Sequence, residues 1–425
     1  MTFTGATYTP PQVLRPGAVL DSIIRRRAVQ TLFQPILHLP TETVVGFAAL
    51  ARGPAGSKLE NPEALLDAAR DAGRLGELDW LFRVAAMEAA SGSQLHPSLS
   101  WCINVEPAGL AMECPDNLRE DYSHSRKRLR AILELTDRDQ QGYARTLLSA
   151  CEDARRDTWG VALDRVGTDE RALALLPLLQ PDVVKLDRSI IQADPDRNIA
   201  RITAMVRAYA ERYEAVIIAE GIETPEHATR AEVYGAEYGQ GYLFGAPGEL
   251  PEIVPPPRHP IPLRQEPPPL RHGTPFDVVS VSHDPQVAEK RMLTHIVDHL
   301  EDVAEHTGGC VMLVGLQHGN YFPLDRQQHY RDLSRHNALT VVFADGAPPV
   351  DSPRYQVMSP GAASPFNREW QVIVLSAAYA GAFLARDLGD RGPDPDRRYE
   401  FIYTHDRDTV VTAAKAFLAE LPTAA

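Results

Sequence analysis

Seven polar residues recur at one kind of place in this sequence, the end of a short apolar run. They are Asn104, Glu134, Asp164, Lys185, Asp187, Glu220 and Gln240. Taken singly, an acidic residue at such a place caps the next helix or pairs with a loop cation. Carboxylates, amides and a lysine at the ends of six separate runs are harder to explain that way. If the fold gathers them, they form a site for a divalent cation or a phosphate. Hard cations take several oxygen ligands in near-octahedral order, and a lysine offers phosphate a point charge.

Such a gathering needs a scaffold. Before residue 247, β-rich runs alternate with amphipathic segments. The runs are Thr31–Leu39, Val44–Ala51, Ser100–Val105, Ala131–Leu135, Gly160–Asp164, Asp182–Asp187, Ala215–Ala219 and Glu237–Leu243. Most are apolar almost throughout, as strands buried on both faces of a parallel sheet must be. Helices are expected at Asn61–Ala72, Leu78–Ala90, Gln140–Arg156, Asp196–Tyr213 and Pro225–Tyr234. This alternation predicts an α/β fold, a (β/α)8 TIM-type barrel, in which residues at the C-terminal strand ends share one rim. Only Pro40-Thr41-Glu42-Thr43 separates the first two strands. That is too short for a crossover, so the first strand is expected to be antiparallel.

The phrases around these residues resemble the EAL family of cyclic di-GMP phosphodiesterases. Thr31–Leu39 (TLFQPILHL) is similar to the family's opening strand, and Gly46–Arg52 (GFAALAR) stands at its naming motif. Ile103–Pro107 (INVEP), Leu133–Thr136 (LELT), Val184–Arg188 (VKLDR), Ala219–Thr224 (AEGIET) and Tyr238–Pro247 (YGQGYLFGAP) follow in family order. The resemblance covers about Leu20 to Pro247. It implies two magnesium or manganese ions that activate a water to open one phosphodiester, because a bound dication lowers the pKa of water by roughly half. It assigns Asn104, Glu134 and Asp164 as metal-ligand types, Glu220 as a further acid, and Lys185 as the group that orients or deprotonates the water.

Two positions depart from the family pattern. Ala48 stands where the naming motif has its glutamate, and Arg165, in Asp164–Gly167 (DRVG), stands where a second metal-binding aspartate belongs. The first change removes a carboxylate, and the second reverses a charge. Two unit charges ~4 Å apart interact by about 4 kcal/mol at an effective dielectric near 20, and a dication doubles that. Magnesium or manganese binding is therefore expected to be lost or weak, no other cofactor is expected, and hydrolysis is lost with the metals. Lys185 and Glu220 are then remnants of the catalytic set, and Asn104, Glu134 and Asp164 of the metal set. Arg165 has two readings: an ion pair with Asp164, Glu134 or Glu220 in the vacated space, or a bidentate contact to a ligand phosphate.

The resemblance also assigns nucleotide contacts. Arg52 matches a phosphate-binding arginine, Gln34, Asp187 and Gln240 match guanine and ribose contacts, and Phe244 with Pro247 matches a platform under a base. Plainer roles exist for each: a rim charge for Arg52, core for Phe244, the start of a linker for Pro247. The turn after Asp164 is altered too, by Val166 for a phenylalanine and Asp169 for a glycine, although Glu223 matches the glutamate that steadies it. Ligand-coupled dimerisation is thus not expected, while a homodimer or an unidentified protein partner stays open. Three functions follow: a cyclic di-GMP receptor that does not hydrolyse it, an interaction scaffold that no longer binds nucleotide, or a weak phosphodiesterase with a reduced ligand set.

The rest of the chain sets the context. Hydrophobic and charged contents of 44% and 24% are those of a globular protein. A net charge of −14 argues against a general nucleic-acid binder. No apolar stretch reaches the ~20 residues needed to cross a bilayer, and four scattered cysteines suggest a reducing, cytoplasmic location. Ten of the 23 residues from Pro247 to Pro269 are proline, which predicts an extended spacer. The expected organisation is an extension at 1–19, the barrel at 20–247, the linker at 248–272 and a smaller α/β or α+β domain at 273–425. In that last part, helices are expected at Pro285–Ala304, Leu324–His336, Ala377–Leu388 and Asp408–Leu418, with strands at Gly309–Leu316, Thr340–Ala344, Trp370–Leu375 and Tyr399–Thr404. Arg331–Leu333, Trp370–Leu375 (WQVIVL), Ala382–Arg386 and Tyr399–His405 (YEFIYTH) resemble the DICT family of sensory domains.

Overall fold

The computed structural model describes residues 16–135, 144–169, 171–264, 273–307, 309–352, 354–361 and 363–421. Most of the expected N-terminal extension, the start of the Gln140–Arg156 helix and the end of the proline-rich stretch lie outside these. Eight strands close into a barrel in sequence order: β1 (Gln30–His38), β2 (Thr43–Arg52), β3 (Ser100–Val105), β4 (Arg130–Leu135), β5 (Gly160–Val166), β6 (Val183–Leu186), β7 (Val216–Ala219) and β8 (Tyr238–Gln240). β1 is antiparallel to both neighbours, β2 and β8. The pairs from β2 to β8 are all parallel. This is the TIM-type barrel with an antiparallel first strand that the spacing predicts. Alternate residues point inward, so Ile36, Val45, Ala48, Cys102, Ile132, Ala162, Val183 and Ile218 form the barrel's inner core.

The proline-rich stretch is not a free spacer over its first half. Ile261 is fully buried within the inner-barrel cluster, and Leu263 packs beside it. A Cβ on Gly160 would lie 2.4 Å from Leu263 Cδ2, so the missing side chain makes room for the plug. A proline-rich chain has few amide donors, so arginines supply the polar contacts. Arg130 donates to the Ile261 carbonyl, and Arg264 donates to the carbonyls of Gln180 (2.9 Å) and Tyr213 (2.6 Å). These partners precede or begin β4 to β7, so the segment stoppers the barrel at its N-terminal end.

The second sheet has the order β12-β13-β11-β10-β14-β15-β16-β9. Its strands are β9 (Gln286–Glu289), β10 (Val311–His318), β11 (Leu339–Asp345), β12 (Val350–Ser352), β13 (Tyr355–Met358), β14 (Glu369–Leu375), β15 (Ala380–Asp387) and β16 (Arg398–Thr404). Its two faces bury different residues: Val311 and Leu313 on one side, Met312 and Val314 on the other. The helices Lys290–Thr307 and Leu324–Leu333 cover the second side; Pro275–Ser280 and Arg407–Ala419 cover the first.

Two expected helices are corrected here. Ala377–Leu388 is largely strand β15, because both its faces are covered: Ala382 and Leu384 pack in one cluster, Phe383 and Ala385 in the other. An alanine-rich run buried on both sides has neither helical nor two-fold polarity to declare it. The helix expected from Pro285 starts at Lys290, and the preceding Gln286–Glu289 pairs with β16 as an edge strand.

The Arg407–Ala419 helix also packs against the barrel helices Ala144–Arg156 and Arg171–Leu179, so the two domains share one apolar cluster. Lys415 Nζ donates to Gln180 Oε1 (2.9 Å), and Arg212 pairs with Asp408 (2.9 Å) across this contact. Among the described residues, no helix is long and apolar enough to cross a membrane. If the stopper is part of the core, Ile261→Ala lowers unfolding stability by roughly 2–5 kcal/mol, as other buried large-to-alanine changes do. A urea titration showing less than about 0.5 kcal/mol would mean that the segment merely rests on the barrel.

Candidate functional site

Closing the barrel brings the C-terminal strand ends to one mouth. Lys185 on β6 points into it and is almost wholly buried, as is Glu134 on β4. Lys185 Nζ lies 2.7 Å from Glu134 Oε1, 2.7 Å from Glu220 Oε1 just after β7, and 3.7 Å from Asp164 Oδ1 on β5. One ammonium thus faces three carboxylates from three strands. Burial pushes Glu134 above the usual carboxylate range, against the pull of Lys185. Burial lifts Glu220 up to about 8, again against Lys185, and the neighbouring carboxylates Asp164 and Glu134 add to the rise. Desolvation lowers Lys185, but the three acids outweigh it and hold the ammonium well above its ordinary pKa.

Asp164 Oδ1 is buried without a hydrogen-bond partner. Asn104 is half-buried and faces Glu134 in the β3–β4 register. Ala48 sits on β2 between Gln34 of β1 and Cys102 of β3, presenting a methyl group to the inner core. Cys102, which the spacing did not single out, lies close enough to Glu134 to influence its ionisation. Its thiol is pushed well above its ordinary pKa by burial and by that acid. Only the closed barrel places this apparent core residue beside the acids.

Arg165 does not pair with Asp164, Glu134 or Glu220, so the first reading of it is corrected. Lys185 makes those contacts. Arg165 adopts a left-handed backbone (φ 55), and its Nε lies 3.8 Å from Asp187 Oδ2. Such a conformation costs a non-glycine residue roughly 1–2 kcal/mol; it turns the side chain away from the acid cluster. Asp187 also caps the helix Arg188–Gln192 by accepting from the Ser189 amide (2.8 Å).

The expected nucleotide contacts divide into separate groups. Gln240 Nε2 donates to Gln34 Oε1 (2.8 Å), and Gln34 Nε2 donates to the Gly245 carbonyl (3.0 Å). Gln240 Oε1 is buried without a partner. Phe244 and Pro247 are half-buried, and Phe244 leans on the core, while its neighbours Tyr242 and Leu243 are exposed. Arg52, Asn104, Asp164 and Arg165 instead line one cavity of about 270 Å³, whose apolar wall includes Leu66 and Phe82. Arg52 hydrogen-bonds only its neighbour's carbonyl, Ala51 O (2.8 Å), and among the described residues no carboxylate pairs with it.

Asp79 also lines this cavity and is another residue that the sequence reading missed. It is buried, pairs with Arg83 and accepts from the Glu106 amide (2.9 Å). An Asp–Arg pair four residues apart in a largely apolar helix was the available signal. It is the ordinary mark of a helix ion pair and says nothing about a cavity.

Comparison with known families agrees with this geometry. Residues 18–247, more than half of the chain, match the family described as the EAL domain. The chain belongs to the EAL family. Residues 277–388 match a second family, DICT, described as a sensory domain in diguanylate cyclases and two-component systems. The EAL part is similar to the probable cyclic di-GMP phosphodiesterase PdeB of Escherichia coli, at 30% identity over 55% of this chain and 45% of that protein. It is also similar to PdeN of the same organism, at 27% identity over 57% of this chain and 48% of PdeN. The chain therefore spans less than half the length of these two curated relatives. The Xanthomonas citri FimX EAL domain, solved in complex with c-diGMP, superposes with a TM-score of 0.48 at 19% identity, covering 56% of this chain and 94% of that one.

The acid cluster of this EAL barrel makes its stability depend on pH. Glu220 has a folded pKa near 8, above its ordinary 4.5. Its proton thus stabilises the fold fully below about 4.5, and that contribution is lost as pH rises to about 8. The thermal midpoint of Glu220→Gln, compared with the unsubstituted chain from pH 5 to 9, should fall less steeply up to about pH 8 and run parallel above it. Parallel curves throughout would show that Glu220 ionises normally.

Proposed function

We propose that the EAL barrel of this chain is a receptor that binds cyclic di-GMP without hydrolysing it, and that the DICT domain is coupled to it. The observation that carries this reading is the Lys185 ammonium, within 2.7 Å of both Glu134 and Glu220 at the place where the strand-end acids converge. The residues present fit a two-metal centre poorly. Ala48 offers no oxygen, Arg165 brings a cation to the cavity that Asp164 lines, and Lys185 already occupies the space among Glu134, Asp164 and Glu220. Among the described residues, no group of three His, Cys, Asp or Glu side chains is arranged to hold a metal ion. The unpartnered Asp164 oxygen would welcome a cation, but one carboxylate oxygen is far short of an octahedral shell. Magnesium or manganese binding is accordingly lost or weak in this proposal.

Nucleotide binding is supported by different groups. Arg52 and Arg165 line the same cavity; among the described residues no carboxylate pairs with Arg52, and Arg165 makes one long contact, 3.8 Å, to Asp187. In a chain of net charge −14, two such cations are a local exception suited to phosphate. The Gln34–Gln240 pair keeps an unpartnered amide oxygen, which a guanine N–H can satisfy. Exposed Tyr242 beside Phe244 extends the apolar platform. The relatives' names as cyclic di-GMP phosphodiesterases point to the same ligand. Free cysteines suit a reducing compartment, and the cytoplasm is the proposed location.

Titration calorimetry with cyclic di-GMP should give saturable binding with or without magnesium, and Arg52→Ala should weaken it at least tenfold. Absence of heat at high ligand concentration would end the receptor reading and favour a scaffold. Incubation with manganese should leave cyclic di-GMP intact by chromatography, whereas linear pGpG would show that hydrolysis survives.

A further inference from the structure

We propose that the crevice between the barrel and the C-terminal domain binds a small amphipathic carboxylate, with its tail among barrel side chains and its carboxylate on Arg407. A cavity of about 240 Å³ lies where the barrel helices Arg171–Leu179 and Arg197–Tyr213 meet the start of the Arg407–Ala419 helix. Its apolar wall includes Leu173, Leu176, Pro177, Met205 and the ring of Tyr209. The Tyr209 hydroxyl is already committed to the Pro181 carbonyl (2.9 Å), so the ring is what it can offer a ligand.

The charge at this cavity is unbalanced. Arg407 donates to two carbonyls, Ser376 O (2.9 Å) and Ala377 O (3.0 Å), and among the described residues no carboxylate lies within ion-pair distance of it. The other guanidinium on the lining, Arg212, is paired with Asp408. Tyr213 Oη also donates to Asp408 (3.3 Å), and Asp406 is used as the helix cap, accepting from the Thr409 amide (2.9 Å). Burial pulls the Arg407 pKa down and Arg212 adds to the fall, outweighing the opposite pull of Tyr213 and Asp408. An anion placed here would relieve both effects, because an opposite charge favours the ionised form of a desolvated group.

Size and polarity select the ligand class. An apolar cavity of about 150 Å³ takes benzene, so one of about 240 Å³ takes on the order of ten non-hydrogen atoms. Octanoate has that number, with one charge at one end. A highly charged phosphate ester would leave the apolar wall unused, and a neutral alcohol would leave Arg407 uncompensated. Pockets between domains are common ligand sites, and an occupant here would touch the barrel and the sensory domain at once. The lining shares no residue with the barrel-mouth cavity, so this inference stands apart from the nucleotide reading.

The test is calorimetry and thermal shift on the full chain with sodium octanoate, using octanol and octylamine as controls. One octanoate should bind per chain, with at least tenfold weaker binding of both controls. Arg407→Gln should weaken octanoate at least tenfold, and Arg407→Lys should restore much of that loss. Ala208→Trp, at an exposed position on the cavity wall, should abolish binding while leaving the melting temperature near that of the unsubstituted chain. The proposal is overturned by no octanoate binding at millimolar concentration, by octanol binding equally well, or by Ala208→Trp leaving affinity unchanged. Should Arg407→Gln fold poorly, Ala208→Trp and the octanol control decide the matter.

Discussion

Barrel closure is the constraint from which the rest of the site follows. A strand is satisfied only when both edges are paired, and β1 pairs antiparallel with β2 on one side and β8 on the other. That arrangement converts a linear series of strand ends into a ring. Lys185, Glu134, Asp164 and Glu220 are up to 86 positions apart in the chain, yet one ammonium faces all three acids. Closure also creates a second opening at the opposite end, which is why Ile261 and Leu263 can be buried by a segment with no secondary structure of its own.

Inside the ring, electrostatics sets what the site can hold. Two buried carboxylates and a half-buried third repel one another without a cation, and here the nearby cation is a side chain. Ala48 supplies a methyl group to the inner core, Arg165 is turned toward Asp187, and Lys185 is the cation that the acids face. The guanidinium of Arg52 lies outside this cluster, on the cavity shared with Arg165.

The domain contact has a similar logic. The Arg171–Leu179 helix starts shortly after the Arg165 turn, contains no charged residue beyond its first, and is almost entirely buried. Its far end leads to Gln180, whose carbonyl accepts from Arg155 and Arg264 and whose side chain accepts from Lys415. Barrel, stopper and sensory domain thus meet at one residue.

The sequence by itself determined the barrel, its antiparallel first strand and the residues at its rim. Strands buried on both faces read as uniform apolar runs, and a four-residue connection excludes a crossover. It also showed that neither Ala48 nor Arg165 offers a carboxylate oxygen, since that is a matter of residue chemistry alone. The partners of those residues were another matter. Lys185 rather than Arg165 meets the acids because of backbone direction: Arg165 has φ 55, which no periodicity reveals. β15 looked helical because alanine-rich segments favour helices in isolation, and only two neighbouring strands with two covered faces made it sheet. The proline-rich stretch looked like a spacer because its own backbone bonds little; its burial depends on Arg130 and Gly160, which lie far away in the chain. Tertiary structure decided each of these because the deciding contact comes from residues distant in sequence, where local pattern carries no information.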